Sequence, residues 1–186
     1  MDNVVNGRRC EPAWFGNEAG SGKFNSAHGL AVDPTNGDVW IGDREDYRIV
    51  VYSGAGEFLK TLQMRNLPCA LNFDSHGQPW MASGQDGQFL KLDRNGKVLG
   101  AIGNGMGIGP GQFIEASYWV MDKDDNLYIV DALNHRVQKF TREGQFLLKW
   151  GRAGRAEGEF SLPWGIAIDN EGNVLVADWG NQRVQK

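Results

Sequence analysis

Long hydrophobic runs are absent from this sequence. No stretch approaches the roughly 20 consecutive apolar residues that a membrane-spanning helix needs, and residues 1–10 contain no apolar core of the kind that a secretory signal carries. Two cysteines occur, Cys10 and Cys69, and whether or not they pair they do not decide the compartment. We therefore expect no membrane contact and leave localisation open: cytoplasmic, or secreted or periplasmic if an upstream signal was removed.

Positive charge is not in excess either. Lysine and arginine total 19 against 23 aspartate and glutamate, for a formal net charge of −4. Nucleic-acid-binding domains usually carry an excess of basic residues, so a nucleic-acid partner is not expected. Proline is sparse, at 6 residues, whereas glycine reaches 26 and is spread along the chain. Scattered glycine indicates many turns that need positive φ, which favours short strands over helices.

Four segments of the chain repeat one frame, in which an apolar stretch ends in aspartate. These anchors are Asp33, Asp74, Asp122 and Asp169. They are separated by 41, 48 and 47 residues, the range of four-stranded propeller blades. A turn rich in Asn, Gly and Asp follows each anchor, and the next strand then carries a bulky residue where one sheet would pack against another. The bulky residues are Trp40, Trp80, Tyr128 and Leu175.

A second set of polar residues recurs nine or ten positions after the anchors. It consists of Asp43, Asp131 and Asp178, with Ser83 in the second copy. An arginine follows each of these aspartates five residues later, at Arg48, Arg136 and Arg183. Because the two residue types recur in register, we expect each aspartate and arginine to form a structural pair within or between blades.

The repeats predict an all-β fold, a β-propeller of about four blades within a single domain over residues 1–186. An outer strand is expected at about 10–16, and the blades at about 24–62, 67–103, 113–151 and 160–186. The chain is either a piece of a larger ring or a complete shortened one. If four blades leave the ring open, exposed sheet edges and faces favour association, and a homodimer is expected.

The motifs resemble the NHL repeat. The third copy reads GPGQF and then DNLYIVDALNHRVQKF, and the fourth reads GEFSLPWGIAIDNEGNVLVADWGNQRVQK. Several fixed offsets recur together over nearly the whole chain. The resemblance implies a β-propeller, usually six-bladed, and leaves the activity open, because NHL propellers include enzymes, protein binders and RNA binders.

The first copy, AHGLAVDPTNGDVWIGDREDYRIVVY, also resembles one blade of the peptidyl-α-hydroxyglycine amidating lyases, which are zinc-containing propeller enzymes. That resemblance implies His28 as a zinc ligand and Arg44 as an active-site residue. The positions equivalent to His28 hold Cys69, Ser117 and Trp164 where the family has further histidines. Cys69 is thus the second metal-ligand candidate, and the sequence nominates no catalytic base.

Two classes of function follow from these residues. In the first, the chain is related to the lyases that cleave a C-terminal α-hydroxyglycine, with zinc held by His28 and Arg44 handling the substrate. In the second, it is a non-catalytic scaffold that binds a peptide or protein, and RNA binding is a third, weaker alternative. The segment 122–126 lacks the sixth-position glycine and the distal glutamate of a calcium loop, so a hairpin turn is expected there and calcium is not. His76 and His135 are expected to be solvated.

Overall fold

The computed structural model describes residues 4–5, 8–9, 24–83 and 86–186. Two short paired strands, β1 (Val4–Val5) and β2 (Arg8–Arg9), precede the repeats. The outer strand expected at 10–16 lies outside the described residues. No helix in the described part of the chain is long and apolar enough to cross a membrane.

Four antiparallel sheets follow one another along the chain, so the all-β propeller prediction is confirmed. The first sheet contains β3 (Ala27–Val32), β4 (Val39–Asp43), β5 (Arg48–Tyr52) and β6 (Phe58–Gln63). The second contains β7 (Pro68–Phe73), β8 (Pro79–Ser83), β9 (Gln88–Leu92) and β10 (Val98–Ile102). The third contains β11 (Ala116–Met121), β12 (Leu127–Asp131), β13 (Arg136–Phe140) and β14 (Phe146–Trp150). The fourth has three strands, β15 (Pro163–Ile168), β16 (Val174–Asp178) and β17 (Arg183–Gln185).

Each sheet is a meander in which successive strands pair, and the first strand of each, which an anchor aspartate directly follows, lies on the inside. Short turns close the hairpins; for example, the N–H of Asp122 donates to the carbonyl of Asn126 at 3.0 Å. The Asp122 carboxylate accepts the backbone N–H groups of Asp124 and Asn126 at 3.0 and 2.9 Å. The segment 122–126 therefore forms the hairpin turn that the sequence predicts. Among the described residues the helical elements are two 3-10 turns, Ala132–Asn134 and Trp179–Asn181.

The hydrophobic core lies between successive sheets, in three separate clusters. Trp40 and Leu90 belong to the cluster between the first and second sheets, and Trp80 and Phe113 to the next. Val137 and Phe160 belong to the third. Trp40 and Trp80 are 2% and 1% exposed and pack one sheet against the next, as predicted. Tyr128 is partly buried against the third cluster, and Leu175 belongs to none of the three clusters. No cluster of the described residues joins the first sheet to the fourth, and the four sheets form an open arc.

The recurrent aspartates and arginines form the pairs that their register predicts. The ion pairs Arg48–Asp43, Arg136–Asp131 and Arg183–Asp178 each measure 2.8 Å. Arg136 also donates to the backbone carbonyls of Ile108 and Gln112, at 2.6 and 2.9 Å, in the loop between the second and third sheets. Each pair therefore lies within one blade, and in the third blade it also holds the loop that leads into that blade.

A different ion pair links each of the first two blades to the next. The Asp33 carboxylate, at the end of β3, is paired with Arg94 in the second blade. Asp74 is paired with Arg142 in the third blade at 2.9 Å. Burial alone would raise the pKa of the Asp33 carboxyl, but hydrogen bonds from Arg94 and Thr35 outweigh burial and hold that pKa below its usual value.

The prediction that His135 is solvated is wrong. Its side chain is half-buried, and its Nδ1 atom accepts the backbone N–H of Leu162 at 3.1 Å. The reason is that the turn at the end of β12 lies against the loop that leads into the fourth blade, a contact between distant segments. His76 is two-thirds exposed, as expected, with Nδ1 3.3 Å from the Asp125 carboxylate.

Candidate functional site

A cleft of about 190 Å³ opens on the face where the inner strands begin, which we call the cleft face. All four blades contribute to it. His28 and Arg44 come from the first blade, Cys69 from the second, Glu115 precedes β11 of the third, and Trp164 lies in β15 of the fourth. The inner strands of a propeller converge on its axis, so residues at the same repeat position meet although the anchors of successive blades are 41 to 48 residues apart.

The three residues that the sequence singles out, His28, Arg44 and Cys69, all line this cleft. His28 is exposed and Cys69 is buried. The neighbouring residue Gly29 allows their strands to approach closely, because a side-chain Cβ at this position would overlap the carbonyl oxygen of Cys69. The first two inner strands are therefore in backbone contact at the cleft.

Arg44 is held by its backbone and keeps part of its guanidinium available. Its N–H donates to the carbonyl of Ser26 at 2.8 Å, which fixes the residue beside the start of β3. One terminal nitrogen lies 3.1 Å from the Glu45 carboxylate. The Nε atom is buried and has no hydrogen-bond partner among the described residues. The Arg44 side chain as a whole is 35% exposed, so a ligand in the cleft can reach the exposed part of the guanidinium rather than Nε.

Glu115 also lines the cleft, although the sequence did not single it out. Its carbonyl accepts the N–H of Ala132 at 2.9 Å, the same backbone link that joins Ser26 to Arg44 in the first blade. Its carboxylate makes no hydrogen bond or ion pair with any other residue of the described ranges. The repeat does distinguish Glu115. Seven positions before the anchor, the other three copies have Ser26, Leu67 and Leu162, so Glu115 is the charged residue at this position.

Met106, Ile114 and Trp164 give the cleft an apolar part, and further apolar side chains lie close to them. The rings of Tyr118 and Trp164 lie 6.2 Å apart. Seven exposed apolar residues lie in the third and fourth blades and in the loop that leads into the third, and we call them the apolar crescent: Met106, Ile108, Ile114, Tyr118, Leu133, Trp164 and Trp179. Ile108 and Trp179 are 73% and 67% exposed. The third and fourth blades thus present an apolar surface beside the charged residues of the cleft.

The cleft does not complete a metal site from the described residues. Zinc normally takes three or four ligands, and neither His28 nor Cys69 belongs to a group of three donors in the described part of the chain. The one such group there, Asp74, His76 and Asp125, is at the other end of the inner strands. Arg142 already pairs with Asp74 in that group, at 2.9 Å. Its guanidinium supplies the positive charge that a cation would bring.

Comparison with known proteins identifies the repeats. The NHL repeat model matches residues 24–52 and 160–186. NHL repeat-containing protein 3 is similar to this chain at 31% identity over 173 residues in human, which is 84% of this chain, and at 30% over 174 residues in mouse. The chain spans about half the length of these relatives, at 50% of each.

Solved structures agree with the fold, and at under 20% identity they are evidence for the fold alone. Virginiamycin B lyase from Staphylococcus aureus superposes with a TM-score of 0.63 at 17% identity, over 80% of this chain and 47% of the other. An auxiliary nutrient binding protein from Bacteroides ovatus superposes with a TM-score of 0.68 at 19% identity, over 85% and 47%. Together with the repeat frame and the NHL match, these findings show that the chain belongs to the NHL-repeat β-propellers.

Proposed function

We propose that this chain is a binding scaffold that takes a peptide or protein ligand on its cleft face. The observation that carries the proposal is the apolar crescent lying directly beside a cleft with a partly unpartnered arginine. Exposed contiguous apolar surface on a soluble domain marks interaction sites, and Trp, Tyr, Met and Arg are enriched in such interfaces. The crescent includes Trp, Tyr and Met, and Arg44 adds the charged group.

Arg44 gives the ligand one chemical requirement. A partly exposed guanidinium whose carboxylate partner is itself half exposed binds best to a group that accepts more than one hydrogen bond, and a carboxylate does so through two parallel contacts. The C-terminus of a peptide offers such a carboxylate. Apolar side chains near that terminus would then contact the crescent.

A peptide library with free and amidated C-termini tests this proposal. We expect the free-carboxylate peptides with apolar final residues to bind, and Arg44→Gln or Trp179→Ala to weaken binding by about tenfold or more, as loss of an interface anchor does. Leu99→Ala is the matched control, because Leu99 is 53% exposed but lies on the outer strand β10. Equal binding of free and amidated peptides, unchanged in both cleft-face variants, would contradict the proposal.

A zinc-dependent C–N lyase of the peptidylamidoglycolate type is the second candidate. It is favoured by one specific observation, that His28, Arg44 and Cys69 line the same cleft. His28 and Cys69 would be the zinc ligands and Arg44 the substrate-handling residue. Because these two donors are fewer than zinc requires, we derive no catalytic step from them.

Metal analysis of the purified protein separates the two candidates. The lyase requires stoichiometric zinc that is lost in His28→Ala and reduced in Cys69→Ser, together with release of glyoxylate from a peptidyl-α-hydroxyglycine. His76→Ala is the control, since His76 lies near the opposite end of the inner strands. Protein without bound zinc and without glyoxylate release would eliminate the lyase and leave the scaffold.

A further inference from the structure

The cleft carries one positive and one negative side chain that do not pair with each other. Arg44 and Glu115 both line it, yet no ion pair within 4.0 Å joins them in the described part of the chain. The only carboxylate paired with Arg44 there is Glu45, which is half exposed and contributes little in water. Arg44 and Glu115 therefore both line the cleft, and each can still form charge-assisted hydrogen bonds with a ligand.

The cleft is small, and its lining is both polar and apolar: His28 and Ser83 add polar groups to the two charges. Its volume of about 190 Å³ lies below the roughly 300–1,000 Å³ of sites that enclose drug-sized ligands. Met106, Ile114 and Trp164 supply the apolar lining. A ligand that fills this space is about the size of one amino-acid residue, and it can combine charged groups with an apolar part.

We propose that the cleft binds a free α-amino acid with an apolar side chain. Arg44 takes the α-carboxylate, Glu115 takes the α-ammonium, and the side chain lies against Met106, Ile114 and Trp164. The inference deepens the proposed function in one respect, the assignment of a carboxylate to Arg44. It departs from the proposed function in making the occupant of the cleft a small zwitterion.

The two charges distinguish a free amino acid from a chain end. A peptide C-terminus offers the carboxylate to Arg44 but has an amide N–H where Glu115 would meet the ammonium. A peptide N-terminus offers the ammonium but has a carbonyl in place of the carboxylate. Charge-assisted hydrogen bonds are about twice as strong as neutral ones, so the ligand with both charges is favoured. Covering either cleft charge without a counter-charge is costly.

Titration calorimetry with three related probes tests the assignment: L-leucine, N-acetyl-L-leucine, which lacks the ammonium, and L-leucinamide, which lacks the carboxylate. We expect L-leucine to bind and each of the other two to bind about tenfold more weakly or worse. Glu115→Gln should weaken L-leucine about tenfold and leave N-acetyl-L-leucine unchanged. Arg44→Gln should weaken both and leave L-leucinamide unchanged.

Control variants remove the same charges elsewhere. Glu143→Gln and Arg155→Gln change exposed side chains in a hairpin turn and in a loop between blades, and both should bind L-leucine like the parent protein. If N-acetyl-L-leucine binds as tightly as L-leucine and Glu115→Gln has no effect, the zwitterion is wrong while the carboxylate assignment to Arg44 stands. If neither probe binds, and L-methionine, L-phenylalanine and L-tryptophan also fail, the free amino acid is overturned as the ligand, whereas the peptide ligand is overturned only by the library of free and amidated peptides.

Discussion

At the scale of single residues, the cleft is lined by residues that depart from the repeat and that meet only because different blades face one another. His28 and Arg44 are recognisable in the sequence because they break the repeat in the first copy. Glu115 breaks it equally at its own position, but its relevance depends on the third blade facing the first across the cleft. Gly29 determines how closely the first two inner strands approach, and nothing in its own blade indicates that role.

Gly29→Ala should therefore destabilise the fold. The added methyl group meets the Cys69 carbonyl and the Ala70 backbone, neither of which can rotate away. We expect a loss of about 1–3 kcal/mol in the free energy of unfolding, typical of overpacking, measured by urea denaturation. Gly100→Ala is the control, because a Cβ there has nothing within 4 Å, and it should be neutral or slightly stabilising. Equal stability of the two variants would mean that the close approach of the strands is not required.

At the scale of elements, strands and turns were predictable from the sequence because they arise from local chemistry that repeats. The anchor aspartates cap hairpin turns, and the second aspartates pair with an arginine only five residues away. The order of the sheets and the position of the bulky tryptophans between them follow from the same frame. The loops between blades were not predictable in this way, since their contacts join distant segments, as the hydrogen bond from Leu162 to His135 shows.

Loss of a buried pair within a blade should be costly. The Asp131 side chain is 0% exposed and that of Arg136 is 7% exposed, and Arg136 also donates to three backbone carbonyls of the preceding loop. Arg136→Ala leaves the carboxylate buried without its partner, so we expect a loss of about 3–5 kcal/mol in unfolding free energy. Lys123→Ala, which removes the exposed pair with Asp124, should leave the unfolding free energy almost unchanged. Similar losses in the two variants would argue against the buried pair as a structural element.

The pair between the first two blades should make stability depend on pH. The pKa of the Asp33 carboxyl is held below its ordinary value of 3.8, so its ionised form is favoured by folding. That contribution is fully present above about pH 4 and is lost as pH falls through the folded-state pKa. Urea midpoints measured from pH 6 down to pH 3 should fall, and the fall should be shallower in Asp33→Asn than in Asp124→Asn. Parallel curves for the two variants would contradict this assignment.

At the scale of the whole molecule, the four blades form an arc with apolar residues exposed at both ends. Leu30 and Val32 are 63% and 55% exposed on the first inner strand, and Val184 is 66% exposed on the last strand. Surfaces of this kind associate. We expect light scattering to show a homodimer at micromolar concentration, weakened by Leu30→Asp and unchanged by Leu148→Asp on the outer strand β14. A monomer at every concentration would count against association through the ends of the arc.

The central claim is that Arg44 binds a ligand carboxylate in the cleft. Proton–nitrogen correlation spectra of the arginine Nε–H groups report on each guanidinium separately, and Arg44→Lys assigns the Arg44 signal. As a peptide with a free C-terminal carboxylate and an apolar final residue is added, the Arg44 signal should shift until the site is saturated. The signals of Arg136 and Arg183, already bonded to aspartates, should stay in place. An Arg44 signal that stays fixed while signals elsewhere shift on binding would contradict the account.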